Sequence, residues 1–268
     1  MQTTMYKEID IINIVEKVKE IARNTGEFLK DAQAELKSED IKMKATRNYV
    51  TRIDKEAEQL LVKELRHVLP EAGFLTEEET IEQDEKRYMW CIDPLDGTTN
   101  FIHGDTPYSV SIALMDEKTT IMGVVYDPVM SEMYSAIGKG QAFLNRYPIK
   151  VNTKTELENG YIGFGIPYEI DENAKRILKN TFAQFQNCSF RIKGSAALEI
   201  CYVASGGSDA YFHSALSPWD VAAAAFILEC AGGKCTDFSG GDDYIFGKEI
   251  VASNGAIHDD IMHHIINQ

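Results

Sequence analysis

The sequence predicts a mixed α and β protein from three observations: a long amphipathic helical pattern at the start, short β-rich segments in the middle, and alternating strands and helices in the second half. Its 268 residues suit one large domain or two closely packed halves, and an apolar content of 44% is ample for a core.

From Ile9 to Leu36, apolar residues at Ile11, Ile14, Val15, Val18, Ile21 and Ala22 recur at intervals of three and four, the mark of an amphipathic helix. Met43 to Ile53 is less regular, reads as extended, and ends at Asp54. A second helix, Asp54 to Leu69, carries Ala57, Leu60, Leu61, Glu64 and Leu65 at helical spacing and stops at Pro70. Asp54, at its N-terminal edge, reads as an N-cap. Gly73 to Thr76 is a short strand leading into Glu77-Glu78-Glu79, a charge run that reads as a solvated loop and singles out none of the three. Tyr88 to Ile92 reads as a buried strand, which Pro94 stops because it has no N–H to donate. Tyr108–Met115, Thr119–Tyr126, Glu132–Ile137 and Gln141–Leu144 are β-rich runs separated by turn residues, the pattern of an antiparallel meander.

The polar stretch Lys150 to Gly160 is the expected boundary, giving an N-terminal α+β half (1–153) and a C-terminal α/β half (154–268). In the second half, strand Tyr161–Ile166, helices Glu172–Phe185 and Ser195–Ala204, strand Asp209–His213, helix Val221–Cys230, strand Glu249–Ala252 and a helix from His258 alternate as in an α/β layer. His67, His258, His263 and His264 read as solvated helix residues.

A formal net charge of −15 argues against nucleic acid and anionic membranes as partners, since both are held through Lys and Arg. No apolar run approaches the ~20 residues that span a bilayer, and the first ten residues lack the charged and apolar regions of a signal peptide. The five cysteines are scattered with no C-x-x-C pair, so reduced thiols and a cytoplasmic location are expected.

Chemistry concentrates in Asp93-Pro94-Leu95-Asp96-Gly97-Thr98-Thr99-Asn100. Two carboxylates three positions apart sit on a stiff bend, and the hydroxyls and free N–H groups of a helix start follow. Acid for a hard cation beside amides for an anion suggests a metal-assisted phosphate site, whereas either aspartate alone would read as a turn cap. Trp219-Asp220-Val221-Ala222-Ala223 opens a helix of small residues after Pro218, with Asp220 in the first turn and Gly232-Gly233 at the end. Gly194-Ser195-Ala196 marks another helix start. No serine or cysteine constellation for a covalent intermediate stands out.

The motif at 93–100 resembles the signature of the inositol monophosphatase family, Mg²⁺-dependent and lithium-sensitive phosphomonoesterases, and Trp219–Ala223 with Ala231-Gly232-Gly233 is similar to that family's second motif. The resemblance spans nearly the whole chain. It implies the α/β (α+β) fold layered as the αβαβα sandwich of sugar phosphatases, a homodimer, two or three Mg²⁺ ions and a small phosphorylated substrate. It further implies that Glu77, Asp93 and the Leu95 carbonyl hold one Mg²⁺ while Asp93, Asp96 and Asp220 hold a second. Thr98, hydrogen-bonded to Asp54, would deprotonate the attacking water alongside Glu77, and the Gly97 and Thr98 amides would hold the phosphate. Gly194, Ser195 and Ala196 match the family's substrate-binding turn. Glu77 is chosen from its run by the resemblance, although Thr76 stands where the family has glycine.

Where animal members have an acidic residue that grips an inositol hydroxyl, this chain has His213. An imidazole with pKa of ~6.5 is expected to carry part of a positive charge and to favour a second anionic group on the ligand. The function that the resemblance implies is hydrolysis of inositol monophosphate and similar small phosphates, with His213 widening the range toward ligands that carry a further negative charge. A nucleotide phosphate (NADP or adenosine bisphosphate), fructose 1,6-bisphosphate, and a non-catalytic phosphate-binding regulator stand as alternatives.

Overall fold

The computed structural model describes residues 9–45, 48–83, 85–138, 140–184 and 186–268. Helix α1 (Ile11–Ala34) is capped by Asp10, whose carboxylate accepts the Asn13 N–H at 3.2 Å, and it buries Ile14, Val15, Val18, Ala22 and Leu29. The extended stretch that follows is an antiparallel pair, β1 (Ile41–Ala45) and β2 (Asn48–Thr51). Helix α2 (Arg52–Val68) begins before the expected Asp54: Thr51 is the N-cap, and Asp54 accepts the Thr51 N–H at 2.8 Å. Asp54 is thus the third residue of a capping box rather than the cap itself.

Strands β3 (Gly73–Thr76), β4 (Tyr88–Asp96), β5 (Ser109–Asp116), β6 (Thr119–Asp127), β7 (Glu132–Ile137), β8 (Ala142–Leu144) and β9 (Tyr147–Ile149) form one sheet in chain order, and the one-turn helix α3 (Thr98–Ile102) follows β4. All neighbours are antiparallel except β3 and β4, so the expected meander is present with short edge strands added. Pro94 does not end β4. Asp93 pairs with Ser111 and Asp96 with Ser109, three steps against two, so Pro94 and Leu95 lie in a bulge where a missing N–H leaves no gap in the ladder. The bulge turns both aspartates toward one end of the sheet.

The second half supplies β10 (Tyr161–Phe164), α4 (Glu172–Ala183), β11 (Ser189–Arg191), α5 (Ala196–Ala204), β12 (Ala210–Ser214), α6 (Pro218–Cys230), β13 (Lys234–Thr236), β14 (Glu249–Ser253) and α7 (His258–Ile261), which runs on into a π turn. Its sheet has the order β11-β10-β12-β14-β13, with β10 parallel to both neighbours and β14 antiparallel to both of its own.

The layers stack as α, β, α, β, α. Helices α1 and α2 cover one face of the seven-stranded sheet through Val18, Leu29, Leu61 and Leu65 against Trp90, Ile112 and Val124. Helices α5 and α6 fill the space between the sheets, and α4 and α7 close the outer face of the smaller sheet around Phe164, Phe212 and Val251. The middle of α6, Val221 to Leu228, packs between the two sheets and is therefore apolar on every side, while its polar residues Asp220 and Glu229 sit near its ends. Ala222 to Ala225 are buried, and Gly123 of β6 completes the close approach, since a Cβ there would meet the Ala223 carbonyl oxygen at 2.5 Å. This central core draws on residues from both sides of position 153.

His258 departs from the solvated position expected for it. It is 1% exposed and bridges Thr236 Oγ1 (2.9 Å) and Ser253 Oγ (2.8 Å), tying α7 to the small sheet. No helix among the described residues is long and apolar enough to cross a membrane.

Candidate active site

The bulged end of β4, the turn after β3 and the N-termini of α5 and α6 meet at one cleft of about 670 Å³, and α2 stands behind it with Asp54 bonded to Thr98. Its lining includes Glu77, Asp93, Leu95, Asp96, Gly97, Thr98, Gly194, Ala196, His213 and Asp220, which brings most of the sequence-derived site residues into one place. Carboxylate oxygens of Asp93, Asp96 and Asp220 lie within 4.8 Å of one another.

Each aspartate is held by local backbone. Asp93 Oδ1 accepts the Leu95 N–H at 2.9 Å across the bulge. Asp220 Oδ2 accepts the Ser217 N–H at 2.6 Å, the return half of the capping box of α6. Asp96 receives Ser195 Oγ–H at 2.5 Å and the N–H groups of Ala196 (3.1 Å) and Ala197 (2.9 Å). The first turn of α5, expected to face the substrate, therefore directs its donors at Asp96 in this structure. Among the expected trio, Gly194 and Ala196 line the cleft, and Ser195 is a 1% exposed prop beneath the aspartate.

Three acids in so small a space are electrostatically unfavourable when ionised. Burial, followed by the charges of Glu77, Asp96 and Asp220, raises the Asp93 pKa well above the ordinary range. Burial and the charges of Glu77 and Asp96 do the same to Asp220. Burial lifts Asp96 to about 6 despite the donors from Ser195, Ala197 and Ala196. Among the described residues, none of the lysine or arginine ion pairs involves these three. An all-oxygen donor set with unfavourable mutual repulsion and no basic partner fits a hard divalent cation.

Beside the acids, Thr98 Oγ1 lies 2.9 Å from Asp54 Oδ1 and 3.0 Å from the Leu95 carbonyl oxygen. Asp54 is 1% exposed, and burial raises its pKa against the lowering effect of Thr51 and Thr98. Gly97 is required here for two reasons. Its φ of +96° is the left-handed region, and an added Cβ would stand 2.9 Å from the Pro107 carbonyl oxygen. Asn100 locks the turn by donating to the Pro107 and Lys193 carbonyl oxygens, both at 2.7 Å.

His213 lines the cleft with its ring against Gly165, and burial pushes its pKa down to about 4. The expected partial positive charge is therefore absent near neutral pH, because desolvation penalises the imidazolium by more than the backbone hydrogen bond at Ser214 restores. Two carboxylates escaped the sequence reading. Glu199, 4% exposed, accepts the Lys193 N–H at 2.7 Å and is raised by burial to about 7. Glu58 sits one turn beyond Asp54 on α2 and is fully buried. The available signal was a glutamate on the same helix face as Ala57 and Leu61, a position where an unpaired charge is costly.

The model of a family described as "Inositol monophosphatase family" matches residues 11–268. A Vibrio cholerae protein named Nus factor SuhB is 36% identical over 91% of this chain and 92% of its own. An inositol-1-monophosphatase of Mesorhizobium japonicum is 35% identical over 88% of this chain and 90% of its own. Among solved structures, the extragenic suppressor protein suhB of Bartonella henselae superposes with a TM-score of 0.88 at 31% identity, covering 97% of this chain and 99% of that one.

Proposed function

The chain belongs to the inositol monophosphatase family, and from that membership we propose that it is a Mg²⁺-dependent phosphomonoester hydrolase acting on inositol monophosphate and similar small phosphates. The observation that carries the reading is the convergence of Asp93, Asp96 and Asp220 from distant parts of the chain, beside a threonine already bonded to a buried carboxylate. Glu77, Asp93 and the Leu95 carbonyl would hold one Mg²⁺, and Asp93, Asp96 and Asp220 a second, with Glu77 contributing to a weaker third. When bound, Mg²⁺ supplies a more acidic water and charge for the leaving oxygen.

The chain's own residues provide the rest. Thr98 Oγ1 carries a single proton and has two acceptors, Asp54 Oδ1 and the Leu95 oxygen. Donation to Asp54 leaves a lone pair on Thr98 that accepts from a water in the cleft and orients it for in-line attack. As that water loses its proton to Thr98, the Thr98 proton passes to Asp54. Burial makes Asp54 a stronger base than a solvated aspartate, which favours the transfer. The N–H groups of Gly97 and Thr98, at a helix start where no intrahelical acceptor exists, meet the phosphate oxygens.

A nucleotide monophosphate is the second reading. It is favoured by Tyr168 and Ile192, 51% and 54% exposed on the cleft wall, which offer an aromatic and an apolar surface to a base. Phosphate release across a panel of inositol, sugar and nucleotide phosphates, with Mg²⁺ and with chelator, tests both. The expected result is metal-dependent release, greatest with inositol monophosphate or a 2′-nucleotide and suppressed by Li⁺. Full activity in excess chelator would overturn the metal mechanism.

A further inference from the structure

We propose that Glu58 is a positioning residue that sets the direction of Glu77 in the metal site, a role that rests on the function proposed above. Glu58 is 0% exposed, and its carboxylate gathers three donors from one short loop. Its Oε2 accepts the Glu78 N–H at 2.7 Å, while Oε1 accepts the Thr80 N–H at 2.7 Å and the Thr80 hydroxyl at 2.6 Å. A buried carboxylate ringed by donors from the residues just after an expected metal ligand serves to hold that backbone.

The geometry around Glu77 makes the role specific. Its own N–H donates to the Ile92 carbonyl oxygen of β4 at 3.3 Å, and the next N–H along the chain goes to Glu58. The peptide planes on either side of the Glu77 Cα are thus tied to different elements, the sheet on one side and α2 on the other. With both planes fixed, φ and ψ of Glu77 have little freedom, and its side chain is held in the cleft wall within hydrogen-bonding reach of Asp93. The loop needs such a hold, because Glu79 has φ of +49°, a conformation that non-glycine residues seldom adopt unsupported.

Asp54 and Glu58 are four residues apart on the buried face of α2. One turn of one helix therefore holds both Thr98, through Asp54, and the Glu77 loop, through Glu58. The groups that prepare the water and the group that holds the ion keep their spacing because both are referred to the same rigid element.

The test uses the full chain with Glu58→Gln and Thr80→Val. Glutamine keeps one acceptor oxygen and turns an NH₂ toward backbone donors, so at least one clamp bond is lost. Mg²⁺ affinity is measured by calorimetric titration and the exchange of the Glu78 and Thr80 amides by hydrogen–deuterium exchange. Glu58→Gln is expected to weaken Mg²⁺ binding about tenfold, with faster exchange confined to residues 77–80. Thr80→Val, which loses only the hydroxyl bond, is expected to weaken binding by about twofold to fivefold. Mg²⁺ affinity within twofold of wild type in folded Glu58→Gln, or faster exchange spread along all of α2, overturns the proposal and leaves Glu58 a purely structural residue. If Glu58→Gln does not fold, unchanged affinity in Thr80→Val overturns it instead. Wild-type protein that binds Mg²⁺ yet releases no phosphate from any substrate sinks the phosphatase reading alone, since both readouts here report binding and backbone order.

Discussion

Asp220→Asn separates the two roles this residue combines, a helix cap and a member of the acid cluster. As a cap it accepts the Ser217 N–H at 2.6 Å, which the asparagine oxygen can still do. As an acid its oxygen lies within 4.8 Å of those of Asp93 and Asp96. Two unit charges at that distance repel by about 3 kcal/mol at an effective dielectric constant of about 20. Protons taken up by Asp93 and Asp96 relieve part of this, and the half-buried position of Asp220 lets water screen more. A net gain of about 1 to 3 kcal/mol in metal-free protein at pH 8 is expected, raising Tm by about 2 to 9 °C. Mg²⁺ reverses the order. At a hundredfold excess over Kd it should stabilise wild type by about 2.7 kcal/mol and leave the variant nearly unmoved. Calorimetric melts of both proteins in chelator and in Mg²⁺ measure the four values, and phosphate release should be lost in the variant. A variant that melts below wild type in chelator and responds equally to Mg²⁺ would show that the cap dominates and that Asp220 holds no ion.

Stability of the metal-free protein should fall as pH rises from about 4 to above 7, because Asp96 and Glu199, raised to about 6 and about 7, confer stability below their unfolded values that is lost as pH rises through their folded ones. Asp54, Asp93 and Asp220 are shifted the same way, while His213 and His258, both pushed down to about 4, oppose the trend because their contribution is lost as pH falls from about 6.5 through about 4. Urea midpoints at pH 5 and 7.5 in chelator decide the sign, and a midpoint higher at pH 7.5 contradicts it. Gly97→Ala should cost about 1 to 3 kcal/mol through strain at its positive φ and contact with the Pro107 oxygen, read as a lower denaturation midpoint; an unchanged midpoint means the turn is loosely held. His213→Glu should raise kcat/KM for inositol monophosphate over a 2′-nucleotide about tenfold, since a carboxylate accepts from vicinal hydroxyls where a neutral imidazole offers one acceptor; an equal ratio in both proteins removes His213 from substrate contact.

The departures from the sequence reading share a cause. Pro94 stops a regular strand, but in a bulge the missing N–H has no partner to lose, and only the register against β5 reveals the bulge. Asp54 looks like a cap because it precedes an apolar helical pattern; β2 ends at Thr51, and that residue takes the cap instead. His258 lies on a short polar helix segment, yet its ring is buried because the small sheet reaches it with Thr236 and Ser253. The strands β9, β11 and β13 are three residues each, too short for a period to register.

By itself the sequence determined the class of fold, most element positions and the two motifs that carry the acids. These rest on local chemistry: helical and strand periods, a glycine in a turn that a side chain would strain, and carboxylates in a stiff bend. It also led to the family, because both motifs stand in order along nearly the whole chain. Tertiary structure decided what each group faces. Ser195 and Ala196 were expected at the substrate and donate to Asp96; His213 was expected to be partly charged and is neutral by burial; Glu58, to which no role was assigned, accepts hydrogen bonds from the loop after Glu77. Burial and hydrogen-bond partners come from segments far apart in the chain, and the free energy of a buried charge depends on those partners rather than on its neighbours in sequence.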